Sequence, residues 1–65
     1  MRLEYGDLRR LGASVRALAF YSEFDDISAY EKHGKYSLNG VVRGEYADVK
    51  EMIRVLEKTA REYGY

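Results

Sequence analysis

From position 49 onward, apolar residues recur at steps of three and four: Val49, Met52, Ile53, Leu56, Ala60 and Tyr63. That spacing places them on one face of a helix. Lys50, Glu51, Arg54, Glu57, Lys58, Arg61 and Glu62 make the opposite, charged face, with Glu57 and Arg61 forming an i,i+4 pair. Asp48 precedes Glu51 at capping-box spacing, and Gly64 lies where a C′ glycine ends a helix. The pattern predicts a long C-terminal helix that starts after Asp48.

Upstream the pattern is more broken. Leu8, Leu11, Val15 and Leu18 have helical spacing, but Gly12 interrupts them. Ser14 is a good N-cap for a fresh helix beginning at Val15, so Gly12-Ala13 reads as a turn between two short helices. The competing strand over 15–21 alternates poorly, and its alanines favour helix. For 23–33, Ser22 reads as an N-cap, Glu23, Asp25 and Asp26 as first-turn acids, Lys32 and His33 as last-turn cations, and Gly34 as the stop. Phe24, Ile27 and Tyr30 form its stripe, and a third helix is expected. The alternative makes 27–32 a strand reversing at His33-Gly34, which would set Lys32 against Lys35, an unfavourable like-charge pair.

The stretch KYSLNGVVRG at 35–44 then remains. Asn39-Gly40 supplies the two positive-φ positions of a type I′ turn, so a hairpin pairing 35–38 with 41–44 is expected. Leu38 would face Val41, and Tyr36 would face Arg43. The fold class is therefore α+β: one small domain over 1–65, mainly helical, with one short hairpin before the last helix. If 15–21 and 27–32 are strands instead, the order becomes αβββα around a three-stranded antiparallel sheet.

Helices, a short hairpin and a closing helix follow the order of winged-helix domains, which this chain resembles over residues 3–63 in element order. The helix before the wing would carry Glu23, Asp25, Asp26 and Glu31, acids that disfavour contact with phosphates. The alternative αβββα order is similar to that of double-stranded-RNA-binding domains. Those use basic residues at the start of the last helix, where this chain has Asp48-Val49-Lys50-Glu51.

Size changes the picture next. A 65-residue chain buries only about 60% of its unfolded surface. Small domains add disulfides, a metal or a second copy. The absence of Cys excludes disulfides and thiolate metal sites, and a single His excludes a His-rich one. Good packing or oligomerisation is left, and a homodimer or an accessory subunit is the expected state. Eleven basic residues balance eleven acidic ones, which disfavours a general nucleic-acid coat without excluding a local basic patch. The longest apolar run, Ala17 to Tyr21, is far short of a membrane span, and MRLEYGDLRR lacks the apolar core of a signal peptide, so a cytoplasmic location is expected. Gln, Cys, Trp and Pro are absent and Asn occurs once, which fits either a heat-adapted source or chance in a short chain. The missing Pro runs against the former.

Candidate chemistry is sparse. His33 has no Cys, Ser or Asp constellation beside it and is read as a helix-end cation. Glu23, Asp25 and Asp26 lack the alternating oxygen ligands of a calcium loop. Gly34, Gly40 and Gly44 match no phosphate-binding motif. No enzyme, cofactor, metal or small-molecule substrate is expected. Seven Tyr and two Phe exceed what so small a core can bury. Phe20, Phe24, Tyr63 and Tyr36 are assigned to the core. Tyr5, Tyr21, Tyr30, Tyr46 and Tyr65 are left for the surface, and Tyr21, Tyr30, Tyr46 and Tyr65 are the candidate protein interface. The lead expectation is a non-enzymatic protein-interaction module. The alternative is a small nucleic-acid-binding regulator of winged-helix-like form, using Arg9, Arg10, Arg16, Lys35 and Arg43, with Tyr rings stacking on bases.

Overall fold

Alternation along 27–32 and 35–40 builds the centre of the molecule. In the structure, a computed structural model describing all 65 residues, these stretches are strands β2 (Ile27–Lys32) and β3 (Lys35–Gly40). Before them come β1 (Arg2–Leu3), α1 (Tyr5–Arg10) and α2 (Val15–Glu23). After them come β4 (Gly44–Tyr46) and α3 (Val49–Glu62). The strands form one antiparallel sheet in the order β1-β2-β3-β4. The domain is α+β with a C-terminal helix, as expected. It has two helices ahead of a three-strand meander, plus the short β1 at the edge.

All three helices cover one face of the sheet. Ile27, Ala29 and Leu38 point into that face and are buried. Leu8 of α1, Ala17, Leu18, Phe20 and Tyr21 of α2, and Met52, Leu56 and Ala60 of α3 meet them. Leu3 and Val42 close the ends of this core. Phe20, Leu8, Leu38, Met52 and Leu56 are its largest fully buried side chains, each worth about 1.5–3 kcal/mol by burial.

The helix ends match the sequence reading at α2 and α3. Ser14 Oγ accepts the Ala17 N–H at 3.1 Å, and Asp48 Oδ1 accepts the Lys50 N–H at 2.9 Å. Gly12 and Gly64 lie just beyond α1 and α3. The capping box occurs elsewhere, at α1, where Glu4 N–H donates to Asp7 Oδ2 at 2.8 Å.

The middle of the chain departs from expectation. No helix runs over 23–33: Ser22 and Glu23 end α2, and 27–32 is strand. Ile27 and Ala29 gain burial against the helices in that register, while Ser28, Tyr30 and Lys32 face outward. His33 is therefore not a helix-end residue. With Gly34 it forms the tight β2–β3 turn, both residues at positive φ (53° and 78°), as a type I′ turn requires.

Nor does the chain reverse at Asn39-Gly40. β3 runs through both, pairing Ser28 with Asn39 and Ile27 with Gly40, and the 35–38/41–44 hairpin is replaced by β3 against β4. Gly40 serves another purpose. A Cβ there would fall on the Asp26 carbonyl, and its φ is 114°. The following Val41 N–H donates to that same carbonyl at 3.1 Å. Six consecutive β2–β3 pairs and the buried Ala29–Leu38 contact outweigh the local turn preference of Asn-Gly. The helix–helix–helix–hairpin–helix order behind the winged-helix resemblance accordingly does not occur.

Candidate functional site

The face of the sheet turned away from the helices is open. Strand alternation places Arg2 of β1, Ser28, Tyr30 and Lys32 of β2, Lys35, Ser37 and Asn39 of β3, and Glu45 of β4 on it. The register fixes their neighbours. One row reads Arg2, Tyr30, Ser37, Glu45 across all four strands. The next row toward the turn pairs Lys32 with Lys35, and the row on the other side pairs Ser28 with Asn39. Adjacent strands lie about 4.8 Å apart, so Tyr30 has short polar neighbours beside it and long cations around it.

Three shallow concavities lie on this face. Lys32, His33, Lys35, Tyr36, Ser37 and Glu45 line one of about 360 Å³. Arg43 joins Ser37, Asn39 and Glu45 around a second, of about 450 Å³. Tyr30, Ser28, Asn39 and Arg2 share a third, of about 260 Å³, with Asp25 and Asp26 on its rim.

Charge on this face is uneven. Arg2, Lys32, Lys35 and Arg43 stand on it with the carboxylate of Glu45, while Asp25 and Asp26 border the concavity that Tyr30 shares with Arg2. Arg2 is 3.6 Å from Glu4. Lys32, Lys35 and Arg43 have no carboxylate within ion-pairing distance. The side chains of Ser28, Tyr30, Ser37 and Asn39 make no hydrogen bond within the chain. Polar capacity is concentrated and unspent here.

The anticipated interface tyrosines do not converge. Tyr21 is buried, contrary to expectation, because its hydroxyl donates to Leu3 O at 2.7 Å and accepts the Ala29 N–H at 3.1 Å. Tyr46 is half-buried on the helix-facing side, opposite Tyr36. Tyr5 is exposed on α1. Only Tyr30 lies on the open face, 38% exposed. Tyr65 joins a corner cluster with Phe20, Phe24 and Tyr63, ring centroids 5.2–5.3 Å apart. Tyr63, assigned to the core from sequence, is 49% exposed at this corner.

The anticipated basic residues also divide. Lys35 and Arg43 reach the open face. Arg9 and Arg10 end α1, with Arg10 bonded to Asp7. Arg16 is committed to the helical side, donating to Glu57 at 3.2 Å and to the Tyr65 carbonyl at 2.7 Å. Arg2, Ser28, Ser37 and Asn39 are not among the residues expected from sequence, and Lys32 is expected as a helix-end cation rather than on a strand of this face. The period-two alternation of ISAYEK could have found Ser28, Tyr30 and Lys32, had its helix-end signals not been preferred.

One titratable group is perturbed, and it lies on the helical side. The Ser14 hydroxyl above all, against an opposing effect of burial and with further help from Arg16 and Arg61, holds the Glu57 carboxyl below the usual carboxylate range. Ser14 caps α2 and donates to Glu57 of α3, so this is a clamp between helices. Glu23, Asp25 and Asp26 lie at the end of α2 and in the turn after it, and no three His, Asp or Glu side chains come together at metal-binding distance. No helix is long and apolar enough to cross a membrane. Comparison with family models, curated proteins and solved structures returns no match.

Proposed function

We propose that this chain is a non-enzymatic binding module whose open sheet face takes a nucleic-acid backbone. The Lys32–Lys35 pair carries the reading. Two like charges directly opposite on neighbouring strands cost stability, and no carboxylate lies within ion-pairing distance of either. A phosphate-bearing ligand would offset them. Arg43 and Arg2 extend the cationic surface on either side of Tyr30. A protein partner suits the face less, because Lys and Ser are depleted at protein interfaces. The winged-helix form once attached to this reading has no part in it; the sheet, not a helix, supplies the contacts.

Fluorescence anisotropy with labelled oligonucleotides tests it. Affinity should fall steeply between about 50 and 200 mM salt, as counterion release demands. The double substitution K32Q/K35Q should abolish binding while the circular dichroism spectrum is kept. Failure to bind any oligonucleotide at low salt defeats the proposal.

A second reading rests on the aromatic corner. Phe24, Tyr63 and Tyr65 present a partly exposed ring surface beside buried Phe20. Self-association through it would make the melting temperature rise with protein concentration. A monomeric mass with a concentration-independent melt removes that reading.

A further inference from the structure

We infer that the open face is a single-strand site, with one unpaired base stacked on Tyr30 and the flanking phosphates held by Lys32, Lys35 and Arg43. This rests on the nucleic-acid reading above and adds the form of the ligand. Tyr30 is the one aromatic residue that the strand register turns toward that face, Tyr36 reaching only the edge of one concavity. Ser37 stands directly opposite it and Ser28 two residues upstream. Both are short, so no neighbouring side chain on those two sides stands as tall as the ring. The longer Lys32, Lys35 and Arg2 form a fence around it. Asp25 and Asp26 lie on the Ser28–Asn39 side of the ring, and an aromatic on a low polar floor with cations on its other sides is a stacking platform.

The polar groups fit the same ligand. Ser28, Ser37 and Asn39 carry donors and acceptors with no partner inside the chain, within one or two residue positions of the ring. They can meet the edge of a base splayed onto Tyr30. A duplex offers neither an exposed base face nor a flat surface. A sheet of four strands touches such a cylinder along a narrow line, mainly through phosphates. The site therefore discriminates strandedness through Tyr30 and binds charge through the cations. Glu45 stands beside Lys35 and Arg43 and opposes a phosphate directly over it, so the phosphates are held on either side of Glu45.

Three probes separate the parts: a single-stranded oligonucleotide of about 12 residues, the same sequence as a duplex, and inorganic polyphosphate, which has no bases. The wild-type chain should bind the single strand at least about tenfold more tightly than the duplex. Y30I keeps a strand-forming residue but removes the ring. It should weaken single-strand binding roughly 5- to 100-fold, the loss expected for one stacked base, and leave polyphosphate binding unchanged. Y30F should retain the wild-type preference. Equal binding of single strand and duplex, or an unchanged single-strand affinity in Y30I, overturns the stacking inference while leaving the backbone reading intact. Loss of polyphosphate binding in Y30I also overturns it, since Tyr30 would then act through the fold rather than through a base. Failure of the wild-type chain to bind all three probes at low salt defeats the backbone reading itself.

Discussion

Lys32 faces Lys35 across the last pair of the β2–β3 hairpin, and neither ammonium has a carboxylate partner. K35E turns that repulsion into a cross-strand ion pair. It should stabilise the domain by about 0.2–1 kcal/mol, read as a higher urea midpoint with an unchanged slope. The same variant should lose oligonucleotide affinity. A gain in stability with a loss of binding marks a position held for its ligand at some cost to the fold. A variant that gains stability and binds as before would place the ligand elsewhere.

Tyr21 ties β1 to β2 through its hydroxyl, which bridges Leu3 O and Ala29 N. Tyr21→Phe removes both bonds and leaves two buried backbone groups short of a partner. The expected cost is about 1–3 kcal/mol. Hydrogen exchange at the Ala29 amide should accelerate beyond what the global loss explains, because that amide donates to the Tyr21 hydroxyl itself. Uniform acceleration across the sheet would show that the hydroxyl acts on the whole core instead.

Gly40 and Asn39 separate a through-strand from a turn. Gly40→Ala drives a Cβ onto the Asp26 carbonyl at a φ of 114°. Strain and collision together should cost roughly 2–6 kcal/mol, comparable with the whole stability of a domain this small. Asn39→Thr should change stability by less than about 0.5 kcal/mol, since Thr suits a strand. A large loss in Asn39→Thr would restore the turn at 39–40.

Glu57 couples stability to pH. Its carboxyl is held low chiefly by the Ser14 hydroxyl and then by Arg16 and Arg61. A depressed folded-state pKa stabilises the fold above the unfolded value of about 4.3, and that contribution is lost as pH falls through the folded value. The stability difference between wild type and Glu57→Gln should therefore be constant near neutrality and shrink in acid. Ser14→Ala should shift the loss toward higher pH and also cost about 1 kcal/mol through the α2 cap. A difference independent of pH would show that Glu57 acts by packing.

Local signals decided the ends of the fold. The 3.6-residue period after Asp48 and the Ser14 cap before Val15 produce α3 and α2 because side-chain oxygens satisfy backbone groups a few residues away. No distant contact is needed to read them. The region 22–40 carried two local readings, and its helix-end signals ranked the helix first where the chain forms strand. Its helix-end charges and its strand alternation were both present; burial of Ile27, Ala29 and Leu38 chose the strand.

The functional face was half legible for the same reason. Lys35, Arg43 and Tyr30 could be named as chemistry, but not as neighbours. They share a face only because the turn at His33-Gly34 and the β3–β4 pairing set a register where every second residue points away from the helices. By itself the sequence determined residue types, two capped helices and a neutral charge sum. The tertiary structure decided which way the strands face. Face is fixed by register, and register follows from long-range burial of a few apolar side chains rather than from the preferences of the residues in the turn.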